Sequence, residues 1–377
     1  MLTRMPDRPP PGATLGTRVL NRSYLARQLL LDRVAMPAAG ALEHLVGMQA
    51  QAPLAPYVGL WSRLDGFDPA ELAGLIESRA AVRIALFRST IFLVTAEDCR
   101  ALRAVVQPAI DRSLGGNFSR PLAGVNRAEV AAVGRALVDE APRSFAELGT
   151  ALQERWPGID PLALGIAVRA GVPLVQVPPR GIWGSGGLAR HAAADTWLGC
   201  PMGTDPDPAP AIHRYLAAFG PATLQDIRVW SGLPGLAGAL GRLAPALVRY
   251  RDDEGRELWD VPDGPFPDPD HPAPVRLLPE YDNALLSHAD RRRIIADEHR
   301  GTVFSHGAVL VDGFAAGHWA LKKAARNIPA CLTVTAFAPL PAPSRAAVEA
   351  EAGQLLRFAL QSDQAGRDTQ GTIELRP

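Results

Sequence analysis

The sequence predicts an α+β protein built from three tandem winged helix-turn-helix units, followed by a C-terminal β-rich segment and a closing helix. Three observations predict it. Short helical stretches followed by a β-rich stretch with a turn occupy residues 20–94. The same outline returns over 144–187 and again over 220–261. After residue 276 the pattern changes to strands around an Asp-Gly turn and then a long helix.

In the first unit, Leu20, Tyr24, Leu25 and Leu29 recur at helical spacing, with Asn21 or Ser23 as caps. Residues 37–46 predict a second helix, with Gly47 as its cap or bend. A third begins at Asp68-Pro69-Ala70-Glu71, where Asp caps, Pro takes the first helical position and Glu sits in the first turn. Residues 82–94 are rich in β-formers, and Arg88-Ser89 marks a hairpin turn. In the second unit, Ser144 and Glu147 have capping-box spacing and Asp160-Pro161 opens a helix. Residues 174–177 predict a strand and residues 181–187 a Gly-rich wing. In the third, residues 220–233 hold a helix, a turn glycine and the start of another helix. Residues 247–250 and 258–261 pair around Asp253-Glu254-Gly255. Two strands around Asp312-Gly313 follow, then a strand over 331–337 and an amphipathic helix over 346–361. The expected boundaries are a disordered, Pro-rich lead-in over 1–17, units over 18–125, 126–205 and 206–275, and an α/β segment over 276–377 that packs on the array.

Composition narrows the function classes. No apolar run approaches the ~20 residues needed to cross a bilayer, and the first residues lack the apolar core of a signal peptide. A cytoplasmic protein with no membrane partner is expected. Cys99, Cys200 and Cys331 are odd in number and far apart, matching neither a disulfide framework nor a zinc spacing. His288, His299, His306 and His318 lack a metal-ligand spacing too, so no metal is expected. Basic and acidic residues balance at 39 each, which argues against indiscriminate nucleic-acid binding. Residues 1–130 nevertheless hold 15 Arg against 11 Asp plus Glu. A phosphate backbone responds to that local excess, because screening removes charge beyond ~8–10 Å. Only Lys322 and Lys323 are lysines; every other cation is an arginine, suited to bidentate phosphate contacts.

The most informative short motif is Gln49-Ala50-Gln51. Pro53 and Pro56 forbid a regular helix through this region, and residues two apart in an extended segment point to the same side. Both amides then face one site, each offering an acceptor and a donor without charge. A polar helix end is the plain alternative. Three neighbouring signals have simpler readings. His44 is a half-buried helix histidine. Gly184-Ser185-Gly186-Gly187 lacks both the βαβ context of a dinucleotide loop and the spacing of a hydrolase elbow. Glu280 and Asp282 read either as functional acids or as a structural link that caps a helix or pairs with Arg291, Arg292 and Arg293.

With these pieces placed, the chain resembles the winged-helix DNA glycosylase family of crosslink-unhooking, AlkZ-like enzymes. The matching stretches are 45–53 with its Gln-Ala-Gln, 86–95, 177–184, 278–282 and 310–313. The resemblance covers nearly everything from residue 20 to about residue 337. It implies a DNA cradle made by the three units, Gln49 and Gln51 as the catalytic pair, and double-stranded DNA carrying alkylation damage as partner. No cofactor and a monomeric state are expected with it. Many relatives carry His within the strand where this chain has Phe92, so any hydrogen bond made by that His is unavailable here. Arg83 and Arg88 flank the first wing and Arg180 precedes the Gly-rich loop; with Thr90 they are the expected phosphate contacts.

Two neutral amides suffice chemically when the damage has already weakened the bond. Ordinary glycosidic cleavage needs an acid to protonate the leaving group. Guanine alkylated at N7 is a cation and departs as a neutral base without one. The carbonyl oxygens of Gln49 and Gln51 are then expected to bind the attacking water and face the developing positive sugar. The reading is a monofunctional glycosylase acting on N7-alkylguanine, extending to interstrand crosslinks of an azinomycin-type compound. Its rival is a non-catalytic winged-helix DNA-binding or regulatory protein in which both glutamines are structural.

Overall fold

The computed structural model describes residues 8–302, 306–322, 324, 329–361 and 371–376. One sheet separates two hydrophobic cores. Its strands, in spatial order, are Met48–Gln49, Ile91–Thr95, Ala81–Ala85, Leu174–Val177 and Arg190–Ala193, each antiparallel to its neighbour. Successive side chains alternate between the faces. Val82, Ile84, Phe92 and Val94 enter one core, together with Phe87 and Trp230. Ala81, Ala85, Ile91 and Leu93 enter the other, with Met48, Tyr57 and Leu332. A strand buried on both faces reads as a near-continuous apolar run, which is why residues 82–94 show β-formers without a polar face.

The chain is α+β, and the order of helices and hairpins is consistent with winged-helix units. The strands of the first two expected units nevertheless form this single sheet, because Arg83 and Ile84 pair with Gln176 and Val175. The expected boundary near residue 125 is therefore bridged by backbone pairing. A second five-stranded sheet holds Arg276–Leu278, Gly307–Val311, Phe314–Lys322, Ala330–Ala336 and the parallel edge strand Gly371–Arg376. The helix Ala342–Leu360 covers its inner face through Val348, Ala352, Leu355 and Leu356. Asp312-Gly313 makes the expected turn between its two hairpin strands.

The N-terminal stretch corrects the expectation of a disordered lead-in. Residues 1–7 lie outside the described residues. Beyond them, Thr14–Leu15 pairs in parallel with Val248–Asp252, which pairs with Glu257–Asp260. Arg8 donates to the Tyr250 hydroxyl at 2.8 Å and to the Val261 carbonyl at 2.8 Å. The stretch is ordered by partners some 240 residues away in sequence, which its proline content does not prevent. The helix Thr17–Arg27 follows and buries Asn21, Arg22, Ser23 and Arg27 as well as Leu20, Tyr24 and Leu25. Arg27 forks onto Asp260 at 2.7 and 2.9 Å, with both side chains almost wholly buried. Helices Ala96–Val105, Gln107–Phe118, Arg127–Glu140 and Ala209–Phe219 complete the first core beside those foreseen. Among the described residues no helix is long and apolar enough to cross a membrane.

One buried histidine on the edge strand has a measurable consequence. His191 stacks on Phe145, with ring centroids 4.1 Å apart, and burial pushes its pKa down to about 4. The unfolded chain therefore binds a proton below about pH 6.5 that the folded chain refuses. Stability is fully present above that pH and is lost as pH falls toward 4, at up to ~1.4 kcal/mol per pH unit. Urea unfolding at pH 7, 6 and 5 is expected to show this loss. His191→Phe, which keeps the stacked ring, should reduce the slope, leaving the part due to buried His288, whose pKa burial also pushes down to about 3.

Candidate active site

The Gln-Ala-Gln triplet sits where the helix Ala38–His44 turns into the central sheet. Val46 and Gly47 make that turn with φ of 55° and 83°. At Gly47 a Cβ would lie 2.4 Å from a Val94 methyl and 3.0 Å from the Leu93 carbonyl, so the position needs glycine on both counts. Gln49 then pairs across the sheet with Phe92, and the Ala50 amide donates to the Ile91 carbonyl at 2.7 Å. The strand ends there and the chain bends at Gln51. Pro56 starts rather than interrupts the next helix, Ala55–Trp61, where its missing N–H costs nothing.

The two amides differ in exposure. Gln49 is 7% exposed, while Gln51 is open to solvent. Gln49 Oε1 accepts from Arg88 Nη2 at 2.7 Å, and Gln51 Oε1 accepts a long bond of 3.4 Å from the Ile91 amide. Both carbonyl oxygens thus turn toward the protein, whereas the expected chemistry turns them toward water. Each oxygen keeps a second lone pair. The Gln51 contact is long enough to be given up easily. The Gln49 contact is short and charge-assisted.

Two of the expected phosphate contacts prove to be internal supports. Arg83 is 2% exposed and donates to the Ala50 carbonyl at 2.7 Å, the Pro53 carbonyl at 3.3 Å and Gln176 Oε1 at 3.2 Å. Gly181 leaves room for it, since a Cβ there would stand 2.7 Å from Arg83 Cδ. Arg88 points inward as well: Nη1 donates to the Trp230 carbonyl at 2.6 Å, and Nη2 contacts Asn283 Oδ1 at 3.5 Å in addition to Gln49. Burial pushes both guanidinium pKa values down to about 10, leaving them charged at neutral pH. Neither is disposed toward a phosphate. Thr90 is partly exposed, and its hydroxyl donates to the Phe87 carbonyl at 3.0 Å. Arg180 remains near the surface, with Nη1 on the Gly187 carbonyl at 3.0 Å. Of the four, only Arg83 is fully buried; Arg88, Thr90 and Arg180 are each partly exposed, Arg88 with its two Nη atoms engaged inward.

Asn283 is the site residue that motif reasoning passed over, although it directly follows the 278–282 stretch. Its Nδ2 donates to the Gly47 carbonyl at 3.2 Å, fixing the turn that delivers Gln49. Asp282 caps the short helix Asn283–Leu286 and takes Arg63 in a fork at 2.8 and 2.9 Å, rather than any of Arg291, Arg292 and Arg293. His44 donates from Nε2 to the Arg27 carbonyl at 2.7 Å, as befits a half-buried helix histidine. Among the described residues no group of three or more His, Cys, Asp or Glu side chains is arranged to hold a metal ion.

Arg88 and Ser89 carry a further cost. Both have positive φ, 55° and 59°, in a turn where two residues other than glycine adopt the left-handed region. Such positions cost ~1–3 kcal/mol each and persist only where the surroundings over-determine them. Here the Phe87 ring lies tilted with its centroid 4.0 Å from that of Trp230 and meets Phe92 edge-on, and the backbone of Gly232 closes on the Arg88 Cα.

A family model described as DNA glycosylase AlkZ-like matches residues 42–358. The structure of DNA glycosylase AlkZ from Streptomyces sahachiroi is similar to this one, with a TM-score of 0.75 at 20% identity. The alignment covers 96% of this chain and 100% of that one. No curated protein matches the chain.

Removing the Arg83 support, as Arg83→Met, is expected to loosen the loop that carries the amides. Each hydrogen bond lost from a charged donor is worth ~1.5–3 kcal/mol. Hydrogen–deuterium exchange should rise over residues 48–56, with urea stability falling by about 2–3 kcal/mol. Exchange unchanged there would show that Arg83 does not hold the loop.

Proposed function

The chain belongs to the AlkZ-like DNA glycosylase family, and we propose that it hydrolyses the N-glycosidic bond of N7-alkylated guanine in double-stranded DNA, with Gln49 and Gln51 as the catalytic pair. The observation that carries this reading is the clamped Gln49-Ala50-Gln51 loop, which ends in one fixed and one exposed amide. Arg83 holds the Ala50 carbonyl and Arg88 holds the Gln49 amide. A loop pinned to this degree suits preorganised dipoles more than a polar chain end.

Neutral dipoles fit a substrate that is already cationic. The N7-alkylated base leaves as a neutral molecule, so no general acid is required, and water must reach the sugar carbon as positive charge develops there. The free lone pair of Gln49 Oε1 and the carbonyl of solvent-exposed Gln51 can accept hydrogen bonds from such a water; as its oxygen bonds the sugar carbon, the glycosidic electron pair leaves with the neutral base and the released proton passes to solvent. Gln49 supplies the fixed reference, and Gln51 can turn to meet the substrate. The monofunctional reading is supported by the lysine inventory, since only Lys322 and Lys323 offer a side-chain amine for a Schiff base. The substrate range extends, on this proposal, to unhooking interstrand crosslinks of an azinomycin-type alkylating compound, because a cradle that grips the duplex need not swallow the adduct.

The test uses duplex DNA containing N7-methylguanine, with abasic sites revealed by alkali. The intact protein is expected to release the methylated base and leave unmodified purines in place. Gln49→Ala should lower the single-turnover rate by ~100-fold or more, the scale for losing one preorganised group, and Gln51→Ala by a comparable factor. Background cleavage by all three proteins would instead favour the DNA-binding rival, in which both glutamines are structural.

A further inference from the structure

We propose that Arg88 is a positioning residue for this reaction, acting through Gln49 by holding its amide in one of two planar orientations. The inference rests on the catalytic role proposed for Gln49. A terminal amide presents nearly the same shape after a half-turn, so packing alone selects poorly between carbonyl inward and NH₂ inward. A guanidinium removes the ambiguity because it carries donors only. The Gln49 atom 2.7 Å from Arg88 Nη2 must therefore be the oxygen. Its NH₂ group takes the other side, and Oε1 keeps a single lone pair for a water.

The arrangement around Arg88 is built to keep the guanidinium in place. Its hydrogen-bond partners are three neutral oxygens, on Gln49, Trp230 and Asn283, and among the described residues it forms no ion pair. A partly buried cation without a carboxylate is a poor device for stability, since the water it gives up is offset only by these bonds. The Phe92 ring lies 5.6 Å beneath the guanidinium carbon, and Phe92 is also the cross-strand partner of Gln49. The left-handed turn at Arg88 and Ser89 brings the side chain back over that ring. Asn283 joins the turn at Gly47 to the same guanidinium, so one cation reads the position of both the loop backbone and its first amide.

A double-mutant cycle tests the assignment. Arg88→Met is expected to lower the single-turnover rate on N7-methylguanine duplex by about 100-fold, while the Kd for the same duplex stays within about twofold. Arg88→Lys, whose single ammonium nitrogen replaces the two that reach Trp230 and Gln49, should recover part of the loss. In a Gln49→Ala background, Arg88→Met should add nothing. A full additional loss there, or a weakened and more salt-sensitive Kd with the rate intact, would overturn the proposal and return Arg88 to phosphate binding or bulk structure. A readout independent of activity separates this from failure of the functional reading. In ¹⁵N-labelled protein, the Gln49 side-chain NH₂ signals, assigned by their loss in Gln49→Ala, should shift and broaden in Arg88→Met. Signals that do not move would overturn the positioning role whether or not the protein cuts DNA. If they move while wild-type protein releases no base, the Arg88–Gln49 coupling stands and the proposed reaction falls.

Discussion

Burying the strands of the Ala81–Thr95 hairpin between two cores leaves little room for water to solvate a cation, and the sequence nonetheless places Arg83 in them and partly exposed Arg88 at their turn. Each must find oxygens inside the protein. Arg83 lies on the face it shares with Ala81 and Ala85, and finds the Ala50 and Pro53 carbonyls. Arg88 lies over Phe92, on the other face, and finds Gln49 and Trp230. The short loop between Met48 and Pro53 is thereby gripped from both sides of the sheet. Each grip is a charged donor on a neutral acceptor, the class of hydrogen bond that contributes most per contact in a dry interior.

This constraint separates the two glutamines into unequal partners. Gln49 is fixed in place by the same network that fixes the hairpin turn, so its position is set before any ligand arrives. Gln51 lies one bend further on and has only a long contact to the Ile91 amide. For the proposed reaction on a damaged duplex, a rigid group beside an adjustable one would combine a fixed origin for the chemistry with adjustment to the substrate. The charges beside the loop are already engaged: Arg83 and Arg88 donate to neutral oxygens, and Arg63 pairs with Asp282.

Features that depend on neighbours in sequence were legible, and those that depend on distant ones were not. The Asp68, Ser144 and Asp160 caps are local hydrogen bonds and appear as expected. The Asp312-Gly313 turn is local in the same sense. The pairing of Arg83 and Ile84 with residues 175–176 carries no local signature, and it merges two expected wings into one sheet. Arginines in a β-rich run next to a turn look like surface cations, because arginine is seldom fully buried without partners. Here the partners are main-chain carbonyls and amides brought in from residues 49–53, 176 and 230, which no pattern of side-chain types announces. The Gln-Ala-Gln motif itself was legible, but the direction of its carbonyls was not.

The Arg27–Asp260 fork has a consequence for how the chain is made. The two residues are 233 apart, so at a synthesis rate of ~5–20 residues per second the first helix waits roughly 12–47 s for its carboxylate. During that interval Leu20 waits for Tyr250 and Leu258, the core it enters. The polar residues sharing the helix, Asn21, Arg22, Ser23 and Arg27, are costly to bury later but keep the nascent segment soluble while it waits. Side chains that look misplaced in the finished interior are well suited to the ribosome's timetable.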